Sequence, residues 1–420
     1  MTATVLAWQD GLRYGALGAP LAFAALPLYV LLPNHYAAQL GVPLAGLGAV
    51  LLGTRALDAV VDPWLGRVVD RGLARPRRQV MAGALLAGAL LAVGFAALFF
   101  PPAGTPSALL AWCAVALVVT CLGYSALGVL HQAWGARLGG PPAVQARIVG
   151  WREGLSLAGV LTASVLPALA GIPVMVATGL VLLVLALWAL GSAPFRPAPP
   201  PAAAADRPHD WALPWRVPAF RRLMAVFVLN GVASAVPATL VVFFIRDRLQ
   251  APAWEPLFLG GYFAAGALAM PLWVRAVPRF GLLRCWLAGM ALAIAAFVWA
   301  ARLGTGDAAA FAAICLASGV ALGADLALPG ALLAGVIARA GHALRHEGHY
   351  FGWWTGANKL NLALAAGLAL PALQALGYAP GARSEPALSA LALVYAAVPC
   401  LLKAAAAALL WQHRQLLERP

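Results

Sequence analysis

Arg55, Asp58 and Asp62 stand inside a stretch, Leu44 to Val69, that otherwise reads as a membrane span. A charge at the bilayer centre costs roughly 2.5–3.5 kcal/mol on insertion scales. The spacing i, i+3, i+7 puts all three on one helical face. That face must look into the protein, where partners or water can meet the charges. Such a cluster marks an ion, proton or solute pathway. Two carboxylates one turn apart suit a cation. Mutual repulsion raises the affinity of one acid for a proton, whereas Na+ asks for several oxygen ligands. The other reading is a permanent brace, in which Arg55 and a second cation simply neutralise the aspartates.

Further candidates lie in other apolar runs. Tyr124 and His131 are seven apart and share a face, with Ser125 and Gln132 beside them. Trp151, Arg152 and Glu153 follow. Arg152 could grip a carboxylate or phosphate bidentately, or Glu153 could neutralise it. His131 reads as a packed residue or a proton relay. Asp325 sits next to glycine, and Trp353, Trp354, Asn358, Lys359 and Asn361 cluster thirty residues on. Tryptophans with amides make a binding surface for a ring-bearing or apolar solute, and tryptophans near a span end also serve as interfacial anchors.

The elements that position these residues follow from composition. The chain has 420 residues, 63% hydrophobic and only 10% charged, against about 25% charged in soluble domains. Its apolar runs last about 20 residues, the length of a spanning helix. We place twelve spans near 13–33, 44–66, 79–100, 107–132, 148–170, 172–193, 219–245, 256–276, 282–302, 308–337, 350–376 and 387–411. Residues 194–216 are rich in proline and alanine, which gives an extended linker. The expectation is an all-α polytopic membrane protein with two pseudosymmetric six-helix bundles, 1–193 and 217–420. The five cysteines are scattered and read as small packing residues.

The net charge of +14 does not point to nucleic acid, because the basic residues sit in short loops. Loops after even-numbered spans carry 17 arginines, and those after odd-numbered spans carry four. The positive-inside rule then places the even loops, the linker and both termini in the cytoplasm. The halves also repeat. Pro63-x-x-x-Arg67-x-Val69-x-Arg71 closes span two, and Pro271-x-x-x-Arg275-x-Val277-x-Arg279 closes span eight. Repeats of this kind build transporters whose solute site lies near mid-membrane.

The segment Arg55-Ala-Leu-Asp58-Ala-Val-Val-Asp62-Pro63-Trp-Leu-Gly66, followed by Asp70-Arg71, resembles the R-x-x-D-A-x-x-D-P-x-x-G motif of the glycoside–pentoside–hexuronide:cation symporters, the melibiose permease-like family of the major facilitator superfamily. Tyr14-Gly15, Arg147-x-x-x-x-Arg152-Glu153, Gly323-Ala324-Asp325-x-x-x-Pro329 and Gly348-x-Tyr350-Phe351-Gly352 with Lys359 extend the likeness along the chain. The resemblance implies a major facilitator fold. It implies that Asp58 and Asp62 bind the coupling cation, that the Ser125 hydroxyl contributes, and that Lys359 lies close to these carboxylates. It also implies a gating role for the loop at Asp70 and Arg71. Val61 replaces an asparagine of the pattern, which tilts the coupling ion toward H+ over Na+. Ala22 and Gly128 stand where the family's two sugar-binding carboxylates are expected, which argues against galactosides.

The expectation is a secondary transporter moving a small solute by alternating access, with symport favoured. A non-coupled facilitator, an exporter, and an amphiphile translocase or receptor on the same fold are the alternatives. Cation coupling is assigned to Asp58, Asp62, Ser125, Lys359 and Arg55. Solute contact is assigned to Tyr124, His131, Gln132, Arg152, Glu153, Asp325, Trp354 and Asn358. No cofactor or metal is expected. The partners are the solute and the lipid bilayer, not nucleic acid, and the chain is expected as a monomer. An enzyme is not expected: Leu322-Gly323-Ala324-Asp325 fails the G-x-G-D signature of intramembrane aspartyl proteases, and no phosphate-binding G-x-x-x-x-G-K-[ST] occurs. A cysteine placed at Ala203, in a cysteine-free background, should resist an impermeant thiol reagent added outside intact cells. Ready labelling there would invert the assigned orientation.

Overall fold

A computed structural model of the protein describes residues 7–32, 35–36, 40–195, 211–379 and 381–418. Most of the linker expected at 194–216 lies outside the described residues. The architecture is helical, and eight helices among the described residues are long and apolar enough to cross a membrane. The expected spans correspond to helices with small shifts at their ends. Span one is built from Trp8–Gly15, Gly18–Leu26 and a π-helical turn at Pro27–Leu31. Span two is a 30-residue helix, Leu44–Leu73. Spans three and four are Arg77–Phe99 and Pro106–Arg137. The Thr105 side chain caps span four by accepting the Ala108 N–H, satisfying one of the donors a helix start leaves open.

Spans five and six form one helical run, Pro142–Ser192, broken only at Gly171, whose φ is 79°. Glycine reaches that conformation without a Cβ penalty, so no loop is needed. Gly281, at φ 83°, is likewise the sole residue between span eight (Glu255–Phe280) and span nine (Leu282–Phe297). Spans seven, ten, eleven and twelve are Pro218–Phe243, Ala308–Arg339, Glu347–Ala375 and Glu385–Gln412.

Two compact units emerge. The first holds residues 1–209 together with Ala340–Gly356, and the second holds Asp210–Arg339 and Ala357–Pro420. The start of span eleven therefore packs with the first unit, although the repeat assigns it to the second half. The reason is local. A Cβ on Gly66 would fall 2.1 Å from the Gly348 carbonyl oxygen, and one on Gly352 would fall 2.5 Å from that of Asp62. Only glycine lets the backbones of spans two and eleven touch.

The second unit packs around rings: Phe244 stacks on Tyr395 at 4.2 Å, and Phe258 meets the edge of Phe311 at 4.8 Å. It also buries a closed polar network. Lys403 Nζ donates to Asp325 at 2.6 Å, to the Asn230 Oδ1 at 2.8 Å and to the Ser234 hydroxyl at 3.4 Å. Asp325 also accepts from Trp286 Nε1 at 2.8 Å and Asn230 Nδ2 at 3.1 Å. All three ammonium protons are used, as a buried charge requires.

This network joins spans seven, nine, ten and twelve. Lys403→Met strands a buried carboxylate, and we expect it to lower stability by about 3–5 kcal/mol. The pair Lys403→Met with Asp325→Leu should recover part of that loss in thermal unfolding. A single variant as stable as the parent would remove the network from the account of this unit.

Candidate functional site

Span two carries the centre of the site. Asp62 is fully buried and Asp58 is 6% exposed, both on its inner face. Ser125 of span four is buried as well. Arg55 lies on the same helix, with its side chain outside the described residues. Lys359 belongs to the second unit and is partly exposed. Asp58 borders a small cavity of about 20 Å³, room for about one water, between spans one, two and four. Thr54 and Tyr124 supply its other polar groups, and Ala25, Leu28, Leu51, Leu117 and Cys121 its apolar walls. At Gly128, where the resemblance places a carboxylate, nothing stands within 4 Å of where a side chain would begin.

The remaining first-unit candidates have definite places. The Tyr14 hydroxyl donates to the His131 carbonyl at 2.8 Å, and His131 Nε2 lies 2.8 Å from the Tyr14 carbonyl. Their rings sit 4.5 Å apart. This two-way clasp, buried on both sides, ties span one to span four and makes His131 a packed residue. Arg152 directs Nε and Nη2 to one Glu153 oxygen, at 2.9 and 2.7 Å, so Glu153 neutralises it. Gln132 donates to Thr355 at 3.0 Å and to the Gly128 carbonyl at 3.2 Å, linking span four to span eleven. Trp354 is buried, and Asn358 is exposed. Asp325 lines no part of the Asp58 cavity; its carboxylate is engaged by the second-unit network.

In the last turn of span two, Asp70 caps span eleven. It accepts the Gly348 N–H at 2.7 Å and the His349 N–H at 2.8 Å, groups that a helix start leaves open to an anion. Arg137, from the end of span four, donates to Glu347 at 3.0 Å and to Asp70 at 3.4 Å. All three side chains are buried. Arg71 is exposed, so Arg137 supplies the cation that the sequence motif assigned to the loop.

Sequence reasoning missed Arg137 and Glu347 in this latch, because each reads as an ordinary loop charge. It also missed Lys403, Asn230 and Trp286. Here a signal existed: Lys403 interrupts an apolar run in span twelve, and a charge there must find an acid.

Long apolar helices with carboxylates buried on an inner face fit a major facilitator transporter. The profile of the MFS/sugar transport protein family matches residues 12–414, nearly the whole chain, and the protein belongs to that family. No curated protein matches it by sequence. Among solved structures, a bacterial homologue of the iron transporter ferroportin in the outward-facing state is 18% identical, with 98% of this chain and 100% of that one covered and a TM-score of 0.72. The major facilitator transporter FucP in the outward conformation gives 14%, 94%, 98% and 0.66. The human organic anion transporter MFSD10 gives 16%, 98%, 98% and 0.60. At these identities the likeness is one of fold. The protein is thus a multi-pass membrane transporter of a small solute and not an enzyme.

The latch should be measurable. Asp70→Asn removes a charge that accepts two helix-start N–H groups and faces Arg137, and we expect it to lower the melting temperature of the purified protein. A variant as stable as the parent would remove the latch from the account of the first unit.

Proposed function

We propose that the protein couples solute movement to H+ or Na+, with Asp58 and Asp62 holding the cation and symport as the favoured mode of coupling. One observation carries this reading: two carboxylates one turn apart are buried in a membrane helix, one closed off and one at the edge of a cavity. Two like charges held this close favour the binding of a cation between them. Arg55 and Lys359 set the charge balance in this scheme, and Ser125 adds a hydroxyl oxygen. Tyr124 stands at the cavity wall, which supports its contact with solute. Gln132 and Trp354 flank the junction of spans four and eleven. Arg152, Glu153, His131 and Tyr14 hold that wall in shape.

The Asp70 latch and the neighbouring Arg71 gate the cytoplasmic side in this reading. The arginine bias supports cytoplasmic termini and linker, the halves 1–193 and 217–420 are the working bodies, and the monomer is the working unit. The loss of acids at Ala22 and Gly128 argues against galactosides.

Asp62→Asn tests the coupling. It removes charge while keeping size and polarity. In proteoliposomes, gradient-driven accumulation of solute should disappear while solute exchange persists and the melting temperature stays within a few degrees. Undiminished accumulation in this variant would discard ion binding at the pair.

A further inference from the structure

The second unit gathers arginine at one end of its outer surface. Successive spans run antiparallel, so spans seven and nine start where span twelve ends, and span twelve packs against both. Arg221 and Arg222 stand exposed at the start of span seven, and Arg284 at the start of span nine. None of the three meets a carboxylate among the described residues. Arg414 opens the short helix after span twelve, which packs on span seven. It donates Nη1 to the Trp411 carbonyl at 2.9 Å, and its guanidinium carbon lies 4.2 Å from the centre of the Trp411 ring. Residues 211–222, 273–284 and 409–417 hold seven arginines and no Asp or Glu; the acids that flank them are Asp210 and Glu418. Beside the arginines the surface turns apolar. Leu401, Ala404, Ala405, Ala408 and Trp411 are all exposed, and their spacing puts them on one face of span twelve. That helix is long and apolar enough to cross a membrane, so the face meets acyl chains.

We infer that this end of the second unit binds the headgroup phosphate of an anionic phospholipid, whose acyl chains lie along the alanine face of span twelve. Three physical arguments support it. A guanidinium is a planar fork of donors that matches a phosphate bidentately, and basic residues at a membrane surface gain from anionic lipid. Stacking on Trp411 holds the Arg414 guanidinium over the ring, and a tryptophan settles at headgroup depth. The short alanine side chains leave a shallow apolar lane directly beneath the charges. Topology alone asks only for positive loops. It does not ask that they gather, without acids, at the foot of one acyl-facing stripe. An acidic soluble protein could meet the arginines but not the alanine face, which lies in the hydrocarbon. The inference needs neither the ion-coupling reading nor a choice of solute.

The test uses the purified full chain in detergent with cardiolipin, phosphatidylglycerol, phosphatidylcholine and inorganic phosphate as probes. Native mass spectrometry should show the two anionic lipids retained in preference to phosphatidylcholine, and millimolar inorganic phosphate should not displace them. Arg222→Gln combined with Arg284→Gln should weaken that retention by at least about tenfold. Arg414→Gln, made separately, should weaken it severalfold, so the result does not hang on one variant. Arg75→Gln combined with Arg78→Gln makes the same charge change in the first unit and should leave retention as in the parent. Lipid-free melting temperatures should match the parent throughout, because the altered side chains bury no acid. Retention unchanged in both second-unit variants overturns the inference. So does equal retention of phosphatidylcholine, or an equal loss in the first-unit pair, since either makes the attraction non-specific. Displacement by inorganic phosphate overturns it too, and makes the patch a site for a free anion.

Discussion

Water is missing from the middle of a bilayer, and a charge placed there must be met by the protein itself. Nearly every polar feature of this chain follows from that requirement. The lysine of span twelve has all three protons assigned within its own unit. The arginine of span five lies against the next residue in the chain. The histidine of span four bonds a tyrosine carbonyl through its ring, and its own carbonyl accepts that tyrosine's hydroxyl. Each is a fixed arrangement, with little left to offer a passing solute. The span-two acids differ because one of them borders open space.

That contrast separates two kinds of buried charge that sequence treats alike. Asp325 and Asp58 are both aspartates inside apolar runs, and pattern alone marks both as candidates. Three donor residues surround Asp325, whereas Asp58 stands at the edge of a cavity lined by Thr54, Tyr124 and leucines. The distinction lies in which helices come together, and that is decided by packing rather than by local spacing.

Legibility followed the same line. The helices were readable because a run of about twenty apolar residues has few other uses, and the break between spans five and six was expected within a residue or two of Gly171. The Asp58–Asp62 face was readable from a helical period. The latch was less so. Asp70 was visible in its motif, but Arg137 and Glu347 lie 67 and 277 positions away in sequence. Nothing in their neighbourhoods reports a tertiary partner. Lys403 was the one omission that period and hydropathy could have repaired.

Gly171 carries a consequence for how the chain enters the membrane. Span five begins with Arg147, Arg152 and Glu153, a poor insertion signal on its own. The helix that follows is the most apolar of the eight long spans. With a single left-handed glycine between them, the two arms leave no loop to separate their fates. The apolar arm can carry the polar one into the lipid as a hairpin, with Arg152 and Glu153 already neighbours in the chain. Membrane biogenesis, and not only transport, is then served by a connection one residue long.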